Sequence, residues 1–237
     1  MIAYNEAKAL EAFYRTIPKE FFDDIILVDD KSPDGTYELA KRLGIDAYQN
    51  ERQLGYGGNM KRAVEIALSK GAEVLVDIHP DGEYLPSAIG PALQKTEAGA
   101  AFVLGNRFYD SRKPLESGMY AWKYLPIVFL NWLGRFVLRI PCHDLHQGFR
   151  VYTRRLFAAV PYEKNSNDYL FSFELIAQAA YAGLPFAEVP VNTHYSGEKR
   201  GASLRKSIRY SFGVFLILLY FLLAKIGITG RLFRSRH

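Results

Sequence analysis

Short apolar runs of strand length alternate with helical patterns over the first 107 residues, and each run ends in a group of polar side chains. The clearest runs are Asp24 to Val28, Glu73 to Ile78 and Ala101 to Leu104. Strands that alternate with helices predict an α/β fold, here a mostly parallel sheet flanked by helices. Ligands of such sheets bind beyond the carboxyl ends of the strands. The sequence therefore predicts a ligand site where these polar groups meet.

The length of 237 residues suits one large domain with a full core and is short for two. We expect a domain over residues 1–206, followed by a basic-flanked apolar helix over residues 207–237. A hydrophobic content of 49% and a charged content of 23% are ordinary globular values, which exclude a disordered chain and a polytopic membrane protein. Cys142 has no partner for an internal disulfide, so we expect a buried apolar side chain in a protein that faces a reducing compartment.

The net charge of +5 comes with an uneven distribution of basic residues. Many of them flank the apolar run Phe212 to Ala224, which fits an anionic membrane surface better than a nucleic acid. A transmembrane helix needs about 20 apolar residues, so this run predicts a membrane-surface helix, a short span or an oligomer contact, of which we favour membrane association. A second apolar-aromatic segment, Met119 to Ile140, predicts an amphipathic helix or helix pair on the sheet edge or a membrane, or else a core helix.

Three side chains that can bind metals alternate after the strand at Glu73 to Ile78. If the chain stays extended there, His79, Asp81 and Glu83 lie on one side and can converge on one divalent cation. The alternative is a polar turn built on Pro80, Asp81 and Gly82, with its charges solvated.

Three further segments carry polar groups suited to ligands. The glycine-rich turn Asn50 to Asn59 leads into a helix over Met60 to Ser69 and suits close approach by an anion or a base. Glu174 lies among apolar neighbours in a predicted helix, so it is either a buried structural acid or a catalytic one. The basic loop His194 to Ser203 is of the type that closes over phosphates.

Six short motifs, taken in order, resemble one enzyme family over nearly the whole chain up to the final helix. The pattern is similar to the inverting family 2 glycosyltransferases with a GT-A (Rossmann-like) fold. Within that family it most resembles the dolichyl-phosphate mannose synthases and polyprenyl-phosphate glycosyltransferases. The motifs are AYNE at Ala3 to Glu6, VDDKSPDGT at Val28 to Thr36, NERQLGYGGN at Asn50 to Asn59, HPDGEY at His79 to Tyr84, GNRF at Gly105 to Phe108, and DLHQGFR at Asp144 to Arg150.

The resemblance implies roles for individual residues. The residues that match the family's pocket for the nucleotide base and ribose are Ala3, Tyr4, Glu6, Asp29 and Asp30, and Gly55 lies on the glycine-rich turn beside that pocket. Those matching the metal motif are His79, Asp81 and Glu83, with Asp81 as the central carboxylate. Lys199 and Arg200 occupy the loop that clasps the donor diphosphate, Arg107, Lys123 and Arg150 lie in or near the acceptor region, and Glu174 faces the active site. Of these, the implied catalytic residues are Asp81, Arg107, Arg200 and Glu174.

The sequence departs from the family pattern at three places. His79 stands where the family's DxDxQ motif has its first aspartate, and Glu83 stands where it has glutamine. Because an imidazole makes the ligand set less hard, we predict Mn²⁺ or Mg²⁺ with a preference for Mn²⁺. The first strand is also shorter than the family's, which puts its pairing in question.

The implied activity is transfer of a hexose from a GDP- or UDP-hexose to a polyprenyl phosphate, with inversion, at the cytoplasmic face of a membrane. The protein would be peripheral or anchored by its last helix, with no nucleic-acid partner and with oligomers possible. Because a lipid phosphate is already an anion, its attack needs basic residues such as Arg107 and Lys123 rather than a general base. The alternatives are transfer to a glycan or soluble hydroxyl, with Glu174 or Asp144 as base, and a catalytically weak nucleotide-sugar-binding protein.

Overall fold

The computed structural model describes residues 1–193 and 204–233, and within them strands and helices alternate as the sequence predicts. The strands are β1 (Ile2–Ala3), β2 (Ile26–Asp29), β3 (Asp46–Gln49), β4 (Val74–Asp77), β5 (Phe102–Asn106), β6 (Arg150–Thr153) and β7 (Phe186–Pro190). The α-helices are α1 (Ala7–Tyr14), α2 (Thr36–Arg42), α3 (Tyr56–Ser69), α4 (Ile89–Glu97), α5 (Lys113–Glu116), α6 (Ala121–Leu138), α7 (Arg154–Ala159), α8 (Leu170–Tyr181) and α9 (Leu204–Lys225). Short 3₁₀ turns lie at Lys19–Phe21, Pro86–Ala88, Arg107–Tyr109 and Tyr162–Lys164.

The strands form two hydrogen-bonded sheets. The first has the parallel order β1-β2-β3, and the second has the order β4-β6-β5-β7. Strand β6 runs antiparallel to both β4 and β5, whereas β5 and β7 are parallel. The expected α/β class with mostly parallel strands and flanking helices is confirmed. The reversal at β6 was not predicted, because β6 follows a long helix and a turn rather than a simple strand-helix repeat.

The apolar segments predicted near residues 119–140 and 212–224 are single helices. Helix α6 continues through Pro126, and α9 begins at Leu204 and so is longer than the apolar run itself. One face of α9 is buried in the main core with α8, through Val214, Ile217, Leu218 and Phe221. The proposed division near residue 206 therefore falls inside a helix that shares its core with the rest of the fold.

The first strand leaves a gap between the two sheets. Residues Ile2 and Ala3 pair with Val28 and Asp29 of β2, and the described residues form no ladder between β1 and β4. A cleft of about 440 Å³, lined largely by apolar side chains, lies there between β2, α3 and β4. The Met1 ammonium donates to the Ile26 carbonyl at 2.9 Å, and burial lowers its pKa.

Cys142 is fully buried, as expected for a small apolar side chain. Burial raises the pKa of its thiol to about 12, so the thiolate, the nucleophilic form, is scarce near neutral pH.

Candidate functional site

Asp29 at the end of β2 and Asp30 directly after it are both buried, but their carboxylates accept hydrogen bonds from different groups. The Asp30 carboxylate accepts from the Leu54 N–H at 2.7 Å and the Gly55 N–H at 2.9 Å, so it holds the glycine-rich turn in place. One oxygen of Asp29 accepts from the Ser32 N–H at 2.9 Å, while its Oδ1 is buried with no hydrogen-bond partner among the described residues. A buried carboxylate oxygen usually has a donor, and this one is suited to a donor group on a bound ligand.

The N-terminal motif lies at the same edge of the first sheet. The Ala3 carbonyl accepts from the Asp30 N–H at 2.9 Å, and the Glu6 N–H donates to Thr36 Oγ1 at 3.0 Å. Tyr4 is 44% exposed, and its hydroxyl accepts from Gln53 Nε2 at 2.7 Å. The structure thus brings the predicted base and ribose residues together with the glycine-rich turn, and their binding role stays a prediction.

The glycine-rich turn requires its glycines because another loop lies against it. Gly55 has φ of +78°, and a Cβ there would lie 2.6 Å from the Asn167 carbonyl oxygen. At Gly57 a Cβ would overlap the Ser166 carbonyl oxygen and lie 2.9 Å from that of Asp168. Helix α3 begins at Tyr56, four residues before the expected start, so the last glycines form its first turn.

We expect Gly57→Ala to lower the free energy of unfolding by about 1–3 kcal/mol, because backbone atoms on the facing loop leave no room for the methyl group. Thermal denaturation measures the change. The matched control is Gly90→Ala, also at the second position of a helix, where the nearest atom is Phe21 Cζ at 3.1 Å on a side chain that can move. Equal melting temperatures for the two variants would contradict the argument.

The segment after β4 is a turn, the alternative that Pro80, Asp81 and Gly82 indicated. The metal-binding role of His79, Asp81 and Glu83 stays a prediction. Asp81 Oδ1 accepts from the Glu83 N–H at 2.9 Å, and Gly82 has φ of +72°. This reversal breaks the alternation on which an extended strand depends. Within residues 1–193 and 204–233, no three histidine, cysteine, aspartate or glutamate side chains are grouped so that they can hold a metal ion.

His79 lies beside Tyr56 and Asp77. Its ring lies 5.7 Å from the Tyr56 ring, and its Nε2 is 4.0 Å from Asp77 Oδ1. Asp77 is buried and accepts from the Tyr152 hydroxyl at 3.3 Å, which fits a supporting role on the strand.

The turns HPDGEY and DLHQGFR meet at Gly148. The Gly148 N–H donates to the Tyr84 hydroxyl at 2.8 Å, and a Cβ at Gly148 would lie 3.3 Å from His79 Cδ2. Two motifs that are 64 residues apart in sequence therefore form one wall of the site.

The donor groups near Asp81 fit a divalent ion that is shared with a bound ligand. Asp81 is exposed. Burial raises the pKa of the half-buried Glu83, although the charge of Arg107 opposes that effect. Hard divalent ions are often held by one or two carboxylates together with phosphate oxygens of the substrate. The residues present fit that arrangement and not an all-protein cage.

Arg107, which was predicted to lie in or near the region that binds the sugar acceptor, forms a buried ion pair with Asp144. Its Nε and Nη2 donate to the two Asp144 oxygens at 2.7 and 3.0 Å, and its Nη2 also donates to the His146 carbonyl at 2.8 Å. Burial acts to raise the pKa of Asp144, but the charge and hydrogen bonds of Arg107 outweigh it and the pKa is lowered. Asp144 is therefore poorly suited to act as a base, and the acceptor role of Arg107 stays a prediction.

The other basic residues predicted to bind phosphates include Lys123, Lys199 and Arg200. The Lys123 ammonium lies over the rings of Tyr120 and Trp122, at 5.3 and 5.1 Å from their centroids. Burial lowers its pKa, and the charge of Glu83 opposes that change, so Lys123 lies within electrostatic reach of the turn after β4. Its acceptor role stays a prediction. Lys199 and Arg200 lie outside the described residues.

Glu174 supports the loop that packs on the glycine-rich turn. Its Oε2 accepts from the Ser166 N–H at 2.5 Å, and burial raises its pKa. The Lys61 ammonium donates to the Asn165 carbonyl of the same loop at 2.8 Å. These contacts support the structural alternative, and a catalytic role for Glu174 stays a prediction.

Sequence reasoning missed Tyr56, which sits at the centre of the site. Its ring stacks on Tyr169 at 5.1 Å, and its hydroxyl lies 3.2 Å from Ser172 Oγ and 3.4 Å from Arg150 Nη1. The only available signal was an aromatic residue inside the glycine-rich turn.

Comparison with known proteins decides the family. The family model described as glycosyl transferase family 2 matches residues 1–160. The chain belongs to glycosyltransferase family 2. As a family member it is a glycosyltransferase, as its motifs predicted.

Two relatives are similar to this glycosyltransferase over most of its length. Polyprenol monophosphomannose synthase of Mycolicibacterium smegmatis is 27% identical over 220 residues, covering 90% of this chain and 79% of the relative. UDP-N-acetylglucosamine–dolichyl-phosphate N-acetylglucosaminyltransferase of Methanococcus voltae is 24% identical over 246 residues, covering 94% of this chain and 95% of the relative.

Solved structures show the fold of the glycosyltransferase. Glucosyl-3-phosphoglycerate synthase from Mycobacterium tuberculosis, in complex with Mn²⁺, UDP and phosphoglyceric acid, matches with a TM-score of 0.66 and 17% identity, covering 97% of this chain and 78% of that one. Mannosyl-3-phosphoglycerate synthase from Rubrobacter xylanophilus matches with a TM-score of 0.62 and 19% identity, covering 97% and 75%. The expected GT-A fold is confirmed.

Proposed function

We propose that this glycosyltransferase moves a hexose from a nucleoside-diphosphate sugar to a polyprenyl phosphate at a membrane surface, with help from a divalent metal ion. The two relatives described above are named for polyprenyl or dolichyl phosphate acceptors, which supports this class. Neither the sugar nor the base of the donor follows from those names.

The observation that carries the proposal is a pair of exposed apolar stripes on α6 and α9, here called the apolar platform. On each helix the exposed side chains repeat every three or four residues, which aligns them along one face. Helix α9 is long and apolar enough to cross a membrane, the only such helix in the part of the chain described here. The platform residues are Trp122, Leu125, Phe129, Trp132 and Phe136 on α6, Ile208, Phe212, Phe215, Leu219 and Leu222 on α9, and Ile226 directly after α9.

A stripe of this kind is too extensive to be a few scattered surface side chains, and it indicates a membrane or protein contact. Two tryptophans on the face suit the boundary between headgroups and acyl chains. The cationic residues Arg205, Lys206 and Arg209 in the first turns of α9 favour an anionic surface. A polyprenyl acceptor lies in the same membrane, so the platform and the acceptor class support one another.

The chemistry follows from the charges that the reaction develops. Departure of the nucleoside diphosphate builds negative charge, which needs neutralising groups near the turn after β4. When bound there, with Asp81 as its protein carboxylate, a divalent ion supplies that neutralisation. Lys199 and Arg200 are the proposed basic partners for the same diphosphate. The acceptor phosphate attacks as an anion, so no side chain has to remove a proton from it.

The test is transfer from GDP- and UDP-hexoses to a short-chain polyprenyl phosphate in anionic vesicles, with Mn²⁺ or Mg²⁺ present. We expect lipid-linked hexose from at least one donor and a higher rate with Mn²⁺. Transfer to 3-phosphoglycerate but not to the lipid would replace this proposal with a soluble-acceptor enzyme. Tight nucleotide binding without any turnover would replace it with a nucleotide-sugar-binding protein.

A charge placed on the apolar platform should weaken membrane binding. We expect Trp132→Glu to reduce partitioning into anionic vesicles about tenfold or more, because a carboxylate at the interface opposes burial of that face. Trp132 is 59% exposed, so the fold should tolerate the change. Co-sedimentation measures it, with Val74→Glu, also at an exposed apolar residue but at the start of β4, as the matched control. Equal binding by both variants would remove the platform as the membrane contact.

A further inference from the structure

The turn that carries Asp144 is held between the two helices of the apolar platform. On the α6 side, the Leu145 N–H donates to Asn131 Oδ1 at 2.8 Å, and Asn131 is only 5% exposed. On the α9 side, the Tyr210 hydroxyl lies 2.9 Å from His146 Nδ1, with the two rings edge to face at 5.6 Å. Both contacts join polar groups that are at least partly buried, where a lost hydrogen bond is costly.

His146 is fixed in a neutral form that suits the contact with Tyr210. Burial lowers its pKa to about 4, although the carboxylate of Asp144 opposes the change. Its ring also stacks on Phe173 at a centroid distance of 5.3 Å. The hydrogen bond between Nδ1 and the tyrosine hydroxyl ties the orientation and the tautomer of the neutral imidazole to Tyr210.

Hydrogen bonds connect Tyr210 through His146 to Arg107, the residue predicted to act in the acceptor region. The His146 carbonyl accepts from Arg107 Nη2 at 2.8 Å, and Arg107 Nε donates to Asp144 at 2.7 Å. A hydroxyl on α9 is thus connected through one residue to the guanidinium that GNRF places beside the site. Burial raises the pKa of Tyr210, while the charges of Arg150 and Arg107 oppose that change.

We propose that Tyr210 is a positioning residue for the acceptor step, acting through His146 to fix the Arg107–Asp144 pair against the apolar platform. This inference rests on the proposed function and adds that α9 forms part of the acceptor site as well as a membrane contact. Donor binding is assigned to Asp29, Asp30 and the glycine-rich turn, whereas the hydrogen bond of the Tyr210 hydroxyl is to His146. Donor binding and transfer to the acceptor should therefore respond differently to a change at Tyr210.

The test replaces Tyr210 with phenylalanine, which removes the hydroxyl and keeps the ring. We expect kcat/KM for the polyprenyl phosphate to fall about tenfold, the effect of one lost hydrogen bond. The Kd for nucleoside diphosphate and Mn²⁺ should stay within twofold of the wild type. Nitrogen NMR of the His146 ring, assigned with His146→Gln, should change from one tautomer to a mixture. The matched control is Tyr220→Phe on the same helix, where the side chain is 48% exposed and no effect is expected.

The possible outcomes separate this inference from the proposed function. If the wild type transfers to the lipid and Tyr210→Phe transfers equally well, the positioning role is overturned and the proposed function stands. Equal losses in nucleotide affinity and in transfer would indicate a purely structural role and also overturn it. If the wild type transfers nothing to any polyprenyl phosphate, the proposed function fails and the acceptor role of Tyr210 fails with it.

Discussion

Replacing Asp144 with leucine is expected to lower the free energy of unfolding by about 3–5 kcal/mol, because it leaves the Arg107 charge buried without its carboxylate. The two side chains are 6% and 0% exposed, so water cannot take the place of the lost partner. For a chain of this size the loss corresponds to a fall in melting temperature of roughly 10 °C. Thermal and urea denaturation measure the change.

The double variant Arg107→Met, Asp144→Leu provides the decisive comparison. Removing both charges should restore most of the lost stability, since an apolar pair of similar volume often replaces a buried ion pair at little cost. The matched control is Glu116→Leu at the exposed pair of Lys113 and Glu116, 3.4 Å apart, where a change of at most about 1 kcal/mol is expected. A loss for Asp144→Leu no larger than for Glu116→Leu would show that the pair is not desolvated.

The same double variant tests the acceptor role of Arg107. If Arg107 holds the acceptor phosphate, the stable double variant should bind nucleotide normally and fail to transfer. Restored transfer would place Arg107 outside the acceptor step and leave Lys123 and Arg150 as the remaining predicted cations of the acceptor region.

Replacing Asp81 with asparagine is expected to reduce transfer about a hundredfold or more without changing stability. Asparagine keeps the oxygen that accepts from the Glu83 N–H, so the turn should persist, but the negative charge needed to hold a cation is lost. Steady-state transfer and Mn²⁺-dependent nucleotide binding measure the effect. Asp23→Asn, at an exposed carboxylate before the amino end of β2, is the matched control.

Transfer by Asp81→Asn at the wild-type rate would remove Asp81 from the reaction. A raised requirement for Mn²⁺ with an unchanged maximal rate would instead keep the metal role and limit it to affinity. Both conclusions require that Asp81→Asn has the same melting temperature as the wild type. We expect this because Asp81 is exposed.

The sequence predicted the strand ends well, because buried apolar runs and the polar groups that follow them are local signals. It placed Asp29, Asp30 and the glycine-rich turn at one edge, and in the structure the turn donates to the Asp29 carbonyl through the Asn50 N–H and to the Asp30 carboxylate through two further N–H groups. It also identified both apolar helices, although the start of α9 at Leu204 lies in a polar stretch that the apolar run did not include.

The features that the sequence left open have a common physical cause, which is that a pattern along the chain does not determine which groups meet in space. The choice between an extended chain and a turn after β4 was one of them, and the structure has the turn at Asp81 and Gly82. The pairing of Arg107 with Asp144 links residues 37 apart, and Tyr210 reaches His146 from 64 residues away. Such contacts depend on packing, so no local pattern could predict them.

The gap between β1 and β4 divides the backbone hydrogen bonds into two separate sets. Within the described residues, amides of the first sheet can open to solvent without breaking a ladder bond of the second. Asp29 and Asp30 belong to the first set, whereas the strands that carry Asp77 and Arg150 belong to the second. Nucleotide binding should therefore slow amide exchange in the first sheet far more than in the second. Apolar side chains of α3, such as Met60 and Val64, belong to a core that also contains Val28 of β2 and Leu104 of β5, so packing joins the two halves where the backbone ladder does not.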